Sequence, residues 1–231
     1  MFKKERESIV YYCKKLVEKN LTKGTGGNIS IFIREENLMI VSPSGIDYLI
    51  MKAEDIVIMD LNGTVIYGSN EPSSEYLMHR IFYIKRQDIN AIVHAHSTFS
   101  TTLACMNWEL PAISYLVPVS GGNNVRCAKY ATFGTNELAA NAFEAMKDRY
   151  AVFLANHGLL VGAKDLPNAF SKTEEIEFCA EIYCRSKSLG DPKIICNNEV
   201  DKLLKLFKEY GQVKVEKNYF NYVDEIKRIN N

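Results

Sequence analysis

Ala91-Ile92-Val93-His94-Ala95-His96-Ser97 is the stretch from which the fold is read. A turn-prone Asp88-Ile89-Asn90 precedes it, and Ile92 and Val93 lead into the histidines as a β-strand. Side chains two residues apart on a strand share a face, so His94 and His96 project together. Two adjacent imidazoles can share one ion, and imidazole suits zinc and other late first-row metals. A third of the chain's four histidines, His157, ends a second apolar run, Ala151-Val152-Phe153-Leu154-Ala155-Asn156-His157-Gly158. A polar ring at the end of a buried strand costs free energy unless it has a partner. A shared metal is one such partner; backbone carbonyls satisfying each ring singly are the alternative.

Outward from this stretch, the first element is an amphipathic helix over residues 2–20, with Phe2, Ile9, Val10, Cys13, Leu16 and Val17 at helical spacing. Thr22-Lys23-Gly24-Thr25-Gly26-Gly27-Asn28 stops it. Ile29, Ile31 and Ile33 then alternate with Ser30, Phe32 and Arg34 as a strand, and Leu38 to Val41 is its hairpin partner. Ile56 to Leu61 and Thr64 to Tyr67 flank Asn62-Gly63, a strong hairpin signal. Ser73-Ser74-Glu75 opens a helix that a serine is expected to cap, continuing through Leu77, Met78, Ile81 and Phe82. Further helices are expected over 97–106, 135–148, 166–189 and 199–210, and the run through His157 is expected to continue extended to Gly162. Residues 111–134 give only a turn at Gly121-Gly122-Asn123-Asn124 and a short strand before Ala131. This pattern predicts an α+β fold in α/β/α layers, with a central, mostly antiparallel sheet covered by helices on both faces.

The 231 residues show no repeat, linker or low-complexity segment, so a single domain over 1–231 is expected, with 211–231 a C-terminal extension of unassigned role. Lys plus Arg and Asp plus Glu both number 28, which gives no basic field for nucleic acid. No apolar run approaches the roughly 18 residues of a membrane span, and the N-terminus lacks a signal peptide's apolar core. Six cysteines without a CxxC pair read as reduced thiols of a cytoplasmic protein, not as zinc ligands.

Three small-residue loops stand out: Gly26-Gly27-Asn28, Ser44-Gly45 and Ser73-Ser74. Each offers backbone N–H groups without bulk, and the last opens a helix, whose N-terminus attracts anions. Together they can cradle a phosphate monoester; singly each reads as a turn. No P-loop or GxGxxG pattern is present, so no nucleotide is indicated. Glu75 reads either as a first-turn carboxylate favoured by the helix dipole or as a group facing the metal, alternating between ligand and general base. His79, one turn on, shares that face, and a supporting or surface role suits it better than ligation.

The chain resembles the class II aldolase/epimerase family. The resemblance is carried in order by Gly24-Thr25-Gly26-Gly27-Asn28-Ile29-Ser30, Ser42-Pro43-Ser44-Gly45, Pro72-Ser73-Ser74-Glu75, His94-Ala95-His96, Tyr130-Ala131-Thr132-Phe133-Gly134-Thr135 and Asn156-His157-Gly158-Leu159, within residues 5–212. It implies one Zn2+ per subunit held by His94, His96 and His157, with Glu75 as a displaceable fourth ligand and proton carrier. It implies phosphate binding by Gly27, Asn28, Ser44, Gly45, Ser73 and Ser74, and an aldehyde pocket shaped by Phe133 and Tyr210. It also implies that Tyr115 of a neighbouring subunit serves the aldehyde oxygen in a homotetramer with sites at subunit interfaces. The implied reaction is reversible cleavage of a ketose 1-phosphate, L-fuculose 1-phosphate or a close deoxy-pentulose analogue, to dihydroxyacetone phosphate and a short aldehyde. No lysine lies in a context that marks a Schiff base, which agrees with a metal Lewis acid. Within the family, L-ribulose-5-phosphate 4-epimerase and methylthioribulose-1-phosphate dehydratase are the alternatives. A metal-free adducin-like scaffold is a different class, and retention of all four ligand positions speaks against it.

Overall fold

A computed structural model describes residues 1–209; Tyr210 and the 211–231 extension lie outside the described residues. The strand read first, β5 (Ala91–Ala95), is the middle strand of a nine-stranded sheet. On one side lie β1 (Asn28–Ile33), β2 (Leu38–Val41), β3 (Val57–Asp60) and β4 (Val65–Tyr67). On the other lie β9 (Gly158–Ala163), β8 (Ala151–Leu154), β7 (Asn124–Ala128) and the two-residue β6 (Leu110–Pro111). The order is β4-β3-β2-β1-β5-β9-β8-β7-β6, and every pairing is antiparallel except β7 with β8. The expected mostly antiparallel sheet is therefore present.

Helices cover both faces. Ile92 packs with Met78 and Phe82 of α2 (Tyr76–Lys85) and with Leu138 and Ala142 of α4 (Asn136–Ala145). Ala91, Val93 and Ala95 turn the other way, onto Ile9, Cys13 and Leu16 of α1 (Lys3–Glu18) and Leu166 and Phe170 of α5 (Leu166–Leu189). Leu103 and Ala104 of α3 (Thr98–Cys105) complete this second layer with the far half of α5, over Phe153 and Val161. A last helix, α6 (Asn197–Glu209), follows. Alternation along β5 places His94 on the face of Ile92, beneath α2.

Two local expectations are corrected. The apolar run through His157 is not one extended strand: β8 and β9 form a tight hairpin, Leu154 opposite Gly158, with His157 in the turn. Asn156 adopts a φ of +56°, a left-handed conformation that asparagine tolerates, and this reverses the chain. Nor does a serine cap α2. Glu75 occupies the N-cap position without capping through its side chain, while the Ser73 hydroxyl accepts from the Glu75 N–H at 3.3 Å and shapes the turn ahead of the helix. The Glu75 carboxylate is thereby left to point elsewhere.

Candidate active site

Four side chains from three segments converge at the end of β5. His94 comes from the strand and His96 from the residue just beyond it; His157 comes from the β8–β9 turn and Glu75 from the entry to α2. One donor atom from each lies within 4.8 Å of all the others. His94 Nε2 is 2.9 Å from His96 Nε2, 3.2 Å from His157 Nε2 and 3.3 Å from a Glu75 oxygen, and the other Glu75 oxygen is 3.4 Å from His157 Nε2. His94 and Glu75 are buried, and His96 and His157 are half-buried.

The Leu159 carbonyl accepts from His94 Nδ1 at 2.9 Å, which places a proton on Nδ1 and turns the Nε2 lone pair toward the cluster. Burial opposes a charged His94, but the Glu75 carboxylate outweighs burial and raises the pKa. Burial would likewise raise the Glu75 carboxyl; the His94 and His157 rings and the Asn28 amide overcome it and hold the group well below the usual range. Burial followed by the neighbouring rings pulls His96 down to about 3, and burial with His94 pulls His157 down to about 4. A proton on His94 serves one pair only. His96 and His157 then face it as neutral acceptors, and Glu75 Oε1 is buried with no hydrogen-bond donor among the described residues. A tetrahedral zinc with bonds of about 2.0–2.1 Å sets its ligand atoms roughly 3.3 Å apart. The close separations of 2.9 to 3.4 Å match that spacing, so the donor set fits a divalent cation by chemistry and by size.

Glycines let these segments approach. A Cβ on Gly26 would stand 2.6 Å from His96 Nδ1, and one on Gly27, at φ +72°, would stand 2.5 Å from the His94 carbonyl. The three small-residue loops also adjoin one another. The Ser42 hydroxyl accepts from the Ile29 N–H at 3.1 Å, the Ser42 carbonyl accepts from the Ser73 N–H at 3.0 Å, and the Ser44 N–H donates to the Glu71 carbonyl at 3.0 Å. Gly27, Asn28, Ser44, Gly45, Ser73 and Ser74 therefore lie in one group of neighbouring loops. The Asn28 side chain is already engaged: its amide donates to Glu75 Oε2 at 3.0 Å.

Beside these four side chains opens a cleft of about 280 Å³, lined by Glu75, His96, His157, Tyr130, Ala131, Phe133 and Asn156. Phe133, expected to shape an aldehyde pocket, lines this cleft. Tyr115 does not line the cleft; it is 60% exposed in the segment after β6. Tyr210 lies outside the described residues. Sequence reading quoted Tyr130, Ala131 and Asn156 within motifs but gave them no role, because an exposed tyrosine or a turn asparagine carries no signal until the cleft is seen. It also missed that Asn28 steadies Glu75, a contact between residues 47 positions apart.

Comparison with known proteins agrees. The family model for the Class II Aldolase and Adducin N-terminal domain matches residues 7–184. A 5-deoxy-D-ribulose 1-phosphate aldolase of Bacillus thuringiensis serovar kurstaki is 56% identical over 212 residues, 92% of this chain and 99% of the relative. An L-fuculose phosphate aldolase of Escherichia coli (strain K12) is 36% identical over 204 residues, 88% of this chain and 94% of the relative. A solved structure of an L-fuculose 1-phosphate aldolase superposes with a TM-score of 0.87 at 52% identity, covering 89% of this chain and 96% of that one.

Proposed function

The chain belongs to the class II aldolase and adducin family, and on that premise we propose that it is a metal-dependent lyase that reversibly cleaves a ketose 1-phosphate to dihydroxyacetone phosphate and a short aldehyde. The observation that carries this reading is the convergence of three imidazoles and one carboxylate beside an open cleft. Similarity favours 5-deoxyribulose 1-phosphate, with acetaldehyde as the second product, through the 56% identical relative. L-fuculose 1-phosphate, with L-lactaldehyde as the second product, is the second reading, favoured by the 52% identical structure. Both aldehydes end in a methyl group, which suits the aromatic and aliphatic walls of Tyr130, Ala131 and Phe133.

His94, His96, His157 and Glu75 would hold a divalent cation, Zn2+ by the imidazole-rich donor set, and the ion would supply a Lewis acid for the substrate carbonyl. In cleavage the C4 hydroxyl loses its proton as the aldehyde carbonyl forms, the C3–C4 bond breaks, and its electron pair passes to C3, which gains a proton. Glu75 is the proposed proton carrier at C3. Its Oε1 has no donor among the described residues and is the oxygen left to exchange a proton, while Asn28 holds Oε2 in place. Tyr115 of a neighbouring subunit is the proposed partner of the C4 oxygen. That role requires a site at a subunit interface, for which a homotetramer is the proposed assembly, and the tyrosine's exposure suits it. Gly27, Asn28, Ser44, Gly45, Ser73 and Ser74 bind the phosphate in this reading; binding that remote group fixes the reacting carbons at the cluster. Phe133 and Tyr210 shape the aldehyde end. A single domain is the proposed organisation, and the six unpaired cysteines suit the cytoplasm.

The test is cleavage of both ketose 1-phosphates, followed by dihydroxyacetone phosphate release, with and without a chelator. Chelator-sensitive release with a higher kcat/KM for 5-deoxyribulose 1-phosphate is expected. No release from either sugar overturns the reading, and a preference for L-fuculose 1-phosphate selects the second substrate.

A further inference from the structure

His96 is oriented differently from His94. The His94 ring is fixed through Nδ1 by the Leu159 carbonyl. Among the described residues the His96 ring has one hydrogen-bond partner, His94 Nε2, and its residue lies beyond the last ladder position of β5. Its placement rests on packing against Gly26, Gly158 and the His94 and His157 rings, and on the chain that leaves it at Ser97.

Ser97 is the N-cap residue of α3, and a serine there usually accepts from the N–H two or three residues on. Here it makes no such bond. Glu177, from the middle of α5, takes over: its Oε1 accepts from the Phe99 N–H at 2.8 Å, and its Oε2 accepts from the Ser100 N–H at 2.8 Å. The same Oε2 also accepts from the Ser100 hydroxyl and from the Ser97 hydroxyl, each at 2.7 Å. Ser97 and Ser100 are fully buried. One carboxylate thus satisfies the Phe99 and Ser100 N–H groups of the helix's first turn and, through Ser97, grips the residue next to His96. A side chain needed only to cap α3 would not require Ser97 to turn its hydroxyl away from its own helix.

We propose that Glu177 is a positioning residue for the metal centre, holding the His96 imidazole at the cluster through the Ser97 hydroxyl. The inference rests on the metal reading above but concerns a residue 80 positions from Ser97 that touches neither substrate nor metal. A glutamine cannot replace it, because its amide presents one acceptor where two are used and sets an N–H against the Phe99 N–H.

The test titrates metal-free protein with Zn2+ against a chromophoric chelator and records the visible spectrum of the Co2+ form, which reports the ligand set. E177Q is expected to weaken Zn2+ binding by about tenfold or more, the range seen when ligand-orienting partners are removed. S97A should weaken it by less, and S97A/E177Q should bind no more weakly than E177Q, since both act through one link. Ile176→Val, a fully buried neighbour on α5, is the control: it should lower Tm and leave Zn2+ affinity and the Co2+ spectrum unchanged. Wild-type affinity and spectrum in both E177Q and S97A, whatever their Tm, would overturn the proposal. If E177Q does not fold, S97A alone decides. A wild-type protein that takes up no Zn2+ would instead overturn the metal reading, so the two failures are distinguishable.

Discussion

His94 and His79 are both fully buried imidazoles on facing elements, β5 and α2, yet their surroundings are opposite. His94 turns Nε2 toward two more ring nitrogens and a carboxylate, a concentration of acceptors that only a cation can serve. His79 turns Nδ1 to the Ser30 hydroxyl at 2.6 Å, and that hydroxyl also meets the Tyr83 hydroxyl at 2.5 Å. Hydroxyls both donate and accept, so the Nδ1 side of this second cluster adjusts its protons without gathering acceptors, while His79 Nε2 is buried with no hydrogen-bond partner among the described residues. Burial alone therefore does not make a histidine a ligand; the kind of atom facing it does. The two clusters lie on one sheet face, with Asn28 opposite His94 and Ser30 opposite Ile92 in the β1–β5 ladder.

The comparison is broken most directly by emptying one cluster at a time. His157→Ala removes a ring from the acceptor-rich cluster; metal binding should weaken by more than about 100-fold, beyond the loss that follows changes to ligand-supporting groups, and cleavage should disappear with it. Metal content of the purified variant checks this, and an unchanged stoichiometry would remove His157 from the site. Glu75→Gln sharpens the contrast inside the same cluster. The three imidazoles remain, so most of the metal should stay, but the proton carrier is gone, and kcat should fall by about 10²–10⁴-fold. Turnover near wild type would leave Glu75 a bystander.

How much of this was legible in the sequence follows from how local each feature is. The His94-Ala95-His96 pair announces itself because a period of two is a property of one strand. The Gly26-Gly27-Asn28 loop does so because residues of this type have few other uses in a row. His157 was found, but its hairpin was not: apolar residues on both sides of Asn156-His157 imitate one continuous strand, and the turn depends on a single left-handed asparagine. The strand β7 was barely visible, since it pairs in parallel with β8 and carries half-buried Arg126 and Cys127 between buried neighbours. Glu177 was invisible. On a long helix a glutamate reads as part of a solvated face, and nothing local ties it to a helix that begins 79 residues earlier at Thr98. The chemistry was legible where one segment states it, and not where distant segments have to meet.

The smallest expected effect separates the two clusters by pH. Burial, helped by the His94 ring and opposed by Glu75, pulls the His79 pKa down to about 3, against an ordinary value near 6.5. A group whose folded pKa lies below its unfolded one binds more protons when unfolded, so its contribution to stability is present above about 6.5 and is lost as pH falls toward 3. His79→Leu keeps roughly the side-chain volume, removes one hydrogen bond and leaves Ser30 and Tyr83 to bond each other. At pH 7 it should therefore cost only about 1 kcal/mol, with metal stoichiometry unchanged. As pH is lowered the wild type should lose stability faster than the variant, and the gap should close. Urea unfolding of both proteins, each stripped of metal so that the neighbouring cluster is alike, measures this across the window. Parallel pH profiles would show that His79 does not carry the acid sensitivity of this face, and loss of metal in His79→Leu at neutral pH would merge the two clusters into one.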